Sequence, residues 1–156
     1  MKALLCEHHG PAETLVIRDL PDPVAGPGEV VVTVTAAALN FFDTLIIQNR
    51  YQTKPALPFS PSAECAGTIS ALGEGVTGWR VGERIAAWLG YGAARGKVVV
   101  PTDAIVRVPD ALEDAQAAGL FVTYGAAMHG LIQRAVLKGG ERLAILGAAG
   151  GAGLAA

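Results

Sequence analysis

The sequence predicts a mainly β barrel with short helices, followed by the first strand and turn of an α/β unit. Three observations carry this. From the start to about residue 108 the chain is a succession of short β-branched segments divided by Gly and Pro, the signature of strands with irregular connections. From Glu113 to Leu137 the composition changes to Ala, Leu, Gln and Met with few β-branched residues, which favours one or two helices. The short apolar run Arg142 to Leu146 then enters Gly147-Ala-Ala-Gly150-Gly151-Ala-Gly153, as a strand enters a glycine-rich turn.

In order along the chain, Ala3 to Cys6 and Leu15 to Leu20 are expected to pair as opening strands. Pro21-Asp-Pro23 and Gly26-Pro27-Gly28-Glu29 mark loops before a strand over Val30 to Ala36. Phe41 to Gln48 has helical spacing after Asn40, whose side chain can cap it, and Asp43 falls favourably in the first turn. Further strands are expected over Ala66 to Leu72, Arg84 to Trp88, Lys97 to Val100 and Ile105 to Val108, with Gly73, Gly75, Gly78 and Gly82 at the turns. Pro109-Asp110 ends the β region, and Gly139-Gly140 is expected to end the last helix before the glycine turn.

Composition excludes several classes of function. An apolar content of 51% over 156 residues, with mean hydropathy +0.40, is that of a globular chain with a sizeable core. The net charge of −2 arises from interleaved acids and bases without a basic stripe, so no nucleic acid or anionic membrane is expected as a partner. No apolar run approaches the roughly 18 residues that cross a bilayer. Cys6 and Cys65 are too few and too far apart for a metal knuckle and read as small buried hydrophobes. The apolar run at Ala3 is broken by Glu7-His8-His9, so no targeting segment is assigned and a cytoplasmic location is expected.

The glycine turn carries the most chemistry. Glycine lets the backbone turn tightly and approach a pyrophosphate, whose charge sits on free N–H groups at a following helix N-terminus. Against G-x-G-x-x-G, the first position holds Ala148, Gly150 and Gly153 fill the second and third, and Gly147 closes the strand. The acidic residue that reads the ribose hydroxyl about 20 positions further on would fall beyond Ala156.

Several ordered segments bear on family: Met1-Lys-Ala-Leu, Pro27-Gly28-Glu29-Val30, Ala38-Leu39-Asn40-Phe-Phe-Asp43, Glu64-Cys-Ala66-Gly67, Leu72-Gly-Glu-Gly75-Val76, Val81-Gly82-Glu83-Arg84, Val122-Thr123-Tyr124 and the terminal glycine turn. Together they resemble the medium-chain dehydrogenase/reductase superfamily, and within it the zinc-independent NADPH:quinone oxidoreductases related to zeta-crystallin. The resemblance implies a GroES-like barrel over residues 1–120, followed by a linking helix and the first strand and turn of a truncated Rossmann domain over 121–156. It also implies a whole protein about twice this length, homodimeric, with this chain an N-terminal part that is inactive alone. The activity implied is hydride transfer from NADPH to a quinone or an α,β-unsaturated carbonyl, with NADH as the alternative cofactor. Zinc-dependent relatives place a cysteine where Asn40 stands and a histidine where Ala63 precedes Glu64, so no zinc and no other metal is expected.

The same resemblance assigns residues. Asn40 and Asp43 would face the nicotinamide side of the cleft, where Asn40 can hydrogen-bond the cofactor or a substrate oxygen; their other role is helix capping. Tyr51 matches an aromatic position of the quinone pocket, able to stack on a planar substrate, and otherwise is a half-buried loop tyrosine. Thr123 would face the cofactor with a short hydroxyl and otherwise is a helix N-terminal residue, two roles that can coexist, and Gly147, Gly150, Gly151 and Gly153 would hold the pyrophosphate. Glu64, an acid in an apolar strand, reads as a structural or cleft-lining group in need of a partner, for which Arg84 is the candidate. Relatives run through a glycine-tyrosine-alanine-glutamate stretch where this chain has Tyr91-Gly-Ala-Ala-Arg95-Gly-Lys97. The acid is replaced and two bases enter a loop that borders the substrate cleft, which bears on the substrate more than on the fold. Two competing readings are a stand-alone GroES-like module for binding or assembly and, against the missing ligands, a zinc alcohol dehydrogenase.

Overall fold

The computed structural model describes residues 1–156. Strands β1 (Lys2–Leu5) and β2 (Val16–Asp19) form an antiparallel pair, with Lys2 opposite Asp19 and Leu5 opposite Val16. Five further strands, β3 (Glu29–Ala38), β4 (Glu64–Leu72), β5 (Arg84–Trp88), β6 (Lys97–Pro101) and β7 (Ile105–Arg107), make one antiparallel sheet in the order β6-β3-β4-β5-β7. Isolated bridges from Ala3 to Arg95 and from Cys6 to Phe59 tie the opening segment to the stretches that precede β6 and β4.

Strand alternation builds the core, and one irregularity redirects it. Val30 and Val32 of β3, Cys65 and Ile69 of β4, Ile85 and Ala87 of β5, and Val98 and Val100 of β6 bury their side chains on the concave face, with Val34 packed against them. A register shift between Val34 and Ala36 inverts the parity of β3. Beyond it Ala36 and Ala38 face the opposite side, with Ala66 and Ala86. The shift therefore aims the end of β3 out of the barrel and toward the site. Close by, Gly67 is the only residue its position accepts, because a Cβ there would stand 2.1 Å from the Thr33 carbonyl oxygen.

The small side chains on the outer face let a helix approach closely. Helix α2 (Asp114–Ala117) seats Ala117 and Ala118 against Ala66 and Ala86. Arg84 pins its start, with Nη2 donating to Asp114 Oδ1 at 2.7 Å and to the Leu112 carbonyl at 2.6 Å. The chain then continues in wide π-type turns over Leu120–Tyr124 and His129–Arg134 on either side of α3 (Gly125–Met128). A short helix α1 (Phe41–Ile46) follows β3, and α4 (Gly151–Ala155) follows the glycine turn.

The barrel is open: β6 and β7 are the two sheet edges, joined by a 3-10 turn over Thr102–Ala104 and separated by a groove of about 850 Å³. Three expectations need correction. Arg142 to Leu146 pairs with no strand, since a strand exists only through hydrogen bonds to a neighbour and no other segment lies beside it in a ladder. The helical stretch ends at Arg134, before Gly139-Gly140, with Val136 in the left-handed region at φ 53°. Helix α1 likewise stops at Ile46, short of Gln48, and Asn49 turns the chain at φ 57°.

Candidate functional site

The end of β3 delivers Asn40 to the N-cap of α1, with extended backbone at φ −116°, ψ 163°. Asp43, three residues on, is buried and reaches back: its Oδ2 accepts the Asn40 N–H at 2.8 Å and its Oδ1 accepts the Ser62 N–H at 2.8 Å. That second bond holds Ser62 at φ 74°, in the left-handed region, with its hydroxyl 2.8 Å from the Ala38 carbonyl and 3.0 Å from that of Glu64. Burial pushes the Asp43 carboxyl above its ordinary range; the two N–H bonds oppose this, and the neighbouring Glu64 charge adds to the rise.

Glu64, at the start of β4, is fully buried and collects three N–H donors. Its Oε1 accepts from Asn40 Nδ2 at 3.0 Å, and its Oε2 accepts from the backbone N–H groups of Phe121 and Val122 at 2.8 and 3.0 Å. Arg84 is not its partner, contrary to the sequence reading. One strand over, Arg84 turns to the outer face and binds Asp114 instead. The sequence marks Glu64 as a structural or cleft-lining group through the signal of a lone acid in an apolar strand, and its partners lie far off in the chain.

Beside this network runs a cleft of about 560 Å³. Phe42 and Tyr51 stack at 5.3 Å with their planes 25° apart and form one wall; Ala63, Trp88, Leu89, Tyr91 and Val122 contribute to the rest. The structure thus joins Tyr51 to the segment of Thr123, whose own hydroxyl donates to the Gly119 carbonyl at 3.0 Å. The Thr123 methyl lies 3.1 Å from where a Gly151 Cβ would be, so the linking segment packs on the glycine turn.

Within that turn the glycines do different work. Gly147 takes φ 77° and its carbonyl accepts the Gly150 N–H at 3.0 Å. A Cβ on Gly153 would stand 2.5 Å from the Gly147 oxygen, so this glycine is needed for α4 to fold back on the turn. A Cβ on Gly150 would meet nothing of the chain nearer than 3.5 Å. Internal packing does not require glycine there, and its bareness suits the close approach of a ligand.

The altered loop borders both openings. Tyr91 lines the cleft and the groove between the sheet edges, Lys97 pairs with Asp22, and Arg95 has no carboxylate partner while its buried Nε lacks a hydrogen bond. Burial pushes the Arg95 pKa down. The Cys65 thiol is pushed up to about 12 by burial and by the adjacent Glu64 charge, which makes it inert. No three His, Cys, Asp or Glu side chains converge as a metal-binding group.

The alcohol dehydrogenase GroES-like domain matches residues 26–110. A quinone oxidoreductase-like protein 2 homolog from Nematostella vectensis is 35% identical over 99% of this chain and 42% of its own length. The crystal structure of the human synaptic vesicle membrane protein VAT-1 homolog-like protein superposes with TM-score 0.96 at 30% identity, covering 99% of this chain and 50% of that one. The quinone oxidoreductase of Thermus thermophilus, solved also in complex with NADPH, superposes with TM-score 0.84 at 34% identity over 99% of this chain and 48% of its own. The chain therefore spans about half the length of the relatives it matches. It belongs to the alcohol dehydrogenase GroES-like domain family.

Proposed function

We propose that the full-length protein is an oxidoreductase that transfers hydride from NADPH, or alternatively NADH, to a quinone or an α,β-unsaturated carbonyl, without zinc. In this reading the 156 residues are its N-terminal part and are inactive alone, and the whole protein is a cytoplasmic homodimer. The observation that carries the proposal is the convergence of Asn40, the Val122–Thr123 segment and the glycine turn beside a cleft walled by Phe42 and Tyr51. The quinone and NADPH named for the Thermus relative support the choice of acceptor and cofactor.

The cofactor supplies the hydride; the protein supplies placement and polar contacts. Gly150 and Gly151 offer bare backbone to the pyrophosphate, and Thr123 seats that turn against the barrel. Asp43 holds Asn40 at the start of α1, so that its amide can bond the cofactor or the acceptor oxygen. The stacked Phe42 and Tyr51 rings offer a flat apolar wall to a planar acceptor and exclude water from it.

The test is nucleotide binding by calorimetry and nucleotide oxidation by absorbance, on this chain and on the full-length protein, with quinones and enones and a chelator present. Binding and turnover by the full-length protein alone are expected. Inertness of the full-length protein toward the whole acceptor panel, or failure to bind either nucleotide, overturns the proposal.

A further inference from the structure

Glu64 stands apart among the charged groups of this chain. It is fully buried, and none of the ion pairs includes it. Its three donors come from two parts of the fold: Asn40 opens α1, whereas Phe121 and Val122 lead into Thr123, which packs on Gly151. A carboxylate that accepts three N–H bonds dictates the orientation of its partners, because an amide facing it must present its NH2 and not its oxygen. The carboxylate therefore settles which way the Asn40 amide is turned, and the same group joins that amide to the start of the linking segment. Asp43 fixes the Asn40 backbone, the Asn40 side chain faces the Asp43 N–H in the capping box of α1, and the bond to Glu64 holds its NH2.

We propose that Glu64 is the positioning residue of this site: a buried acceptor that sets the polarity of the Asn40 amide and ties it to the Phe121–Thr123 segment. The inference rests on the nucleotide-binding reading above. It makes a demand that general stability does not. Donors and acceptors must alternate along Asn40, residue 64 and the Phe121 and Val122 N–H groups, whichever residue carries the charge.

Glu64→Gln keeps the size and breaks the alternation. The introduced amide needs its oxygen for the two backbone N–H groups, so its NH2 faces Asn40, and the Asn40 amide either meets it donor against donor or turns over to present its oxygen. In the full-length protein, calorimetry with NADPH should show a Kd raised about tenfold or more, with a lowered thermal midpoint, as the part-buried Asn40 amide loses either its acceptor or its orientation. Adding Asn40→Asp to Glu64→Gln restores the order with the same net charge, since the introduced aspartate accepts from the introduced amide. That pair should bring the Kd back to within about threefold of the parent and recover most of the midpoint, a pairwise coupling of the kind double-mutant cycles isolate. Unchanged binding in Glu64→Gln overturns the proposal, as does a pair no better than the single variant, because the order of donors and acceptors then does not govern the site. If Glu64→Gln does not fold, the pair is compared with Asn40→Asp alone, which sets two carboxylates face to face; equal binding by those two also overturns it. A parent that binds neither nucleotide overturns the proposed function, a distinct result, and the thermal midpoints then decide the clamp by themselves.

Discussion

Replacing Asp43 by alanine removes a carboxylate that holds two loops at once. The Ser62 residue is fully buried, and its N–H has Asp43 Oδ1 as its partner at 2.8 Å; the Asn40 N–H has Asp43 Oδ2 at the same distance. Orphaning a buried donor costs about 1–3 kcal/mol. Losing the bond that closes the first turn of α1 adds about 1 kcal/mol. Ser62 holds a left-handed backbone at φ 74° and leads directly into Ala63 and Glu64, so the loss falls on the segment that delivers Glu64 to the site. The expected outcome is a destabilisation of about 2–4 kcal/mol for Asp43→Ala, and about half of it for Asp43→Asn, whose single amide oxygen can still accept one of the two N–H bonds. Urea unfolding, monitored by tryptophan fluorescence with the slope held common, measures it. A change below about 0.5 kcal/mol, the range of ordinary surface substitutions, would refute the reasoning that Asp43 anchors both loops.

Two more outcomes follow from the same geometry. Since burial raises the Asp43 pKa above its ordinary value of 3.8, the folded chain keeps this proton to higher pH than the unfolded one. Stability from this group is therefore greatest on the acid side and is lost as pH rises through the folded value. The stability difference between the parent and Asp43→Asn should accordingly shrink with rising pH above 3.8, and a difference that grows over that range contradicts the direction. Gly67→Ala should lower the urea midpoint by an amount equivalent to about 1–3 kcal/mol or more, the range for overpacking. Its Cβ would lie 2.1 Å from a backbone oxygen that no rotamer can move, so an unchanged midpoint would refute the close approach of β3 and β4.

Seven strands were legible in the sequence to within a residue or two because Gly and Pro punctuate them locally, as at Gly26-Pro27-Gly28 before β3 and at Gly78 and Gly82 before β5. The glycine turn was legible for the same reason. Gly147 and Gly153 meet steric demands made within a few residues of themselves. The ordered motifs placed the chain in its family without reference to any contact.

Other features depended on groups distant in the chain. Alternation alone does not reveal the shift between Val34 and Ala36, because it depends on how β4 lies against β3. The open edges of β6 and β7 and the unpaired run Arg142 to Leu146 are facts about neighbours, which a strand's own residues do not encode. Glu64 shows the division most clearly. The sequence marks it as an acid among apolar residues and therefore in need of partners, and the cation its motifs offer is Arg84. Its partners are instead an amide 24 residues before it and two backbone N–H groups 57 and 58 residues after it. What the sequence determined by itself was local, in turns, strand spans, small residues and family motifs. Where a buried charge finds its donors was decided only by the tertiary structure, because desolvation lets a carboxylate settle only where donors converge, and that convergence is made by packing.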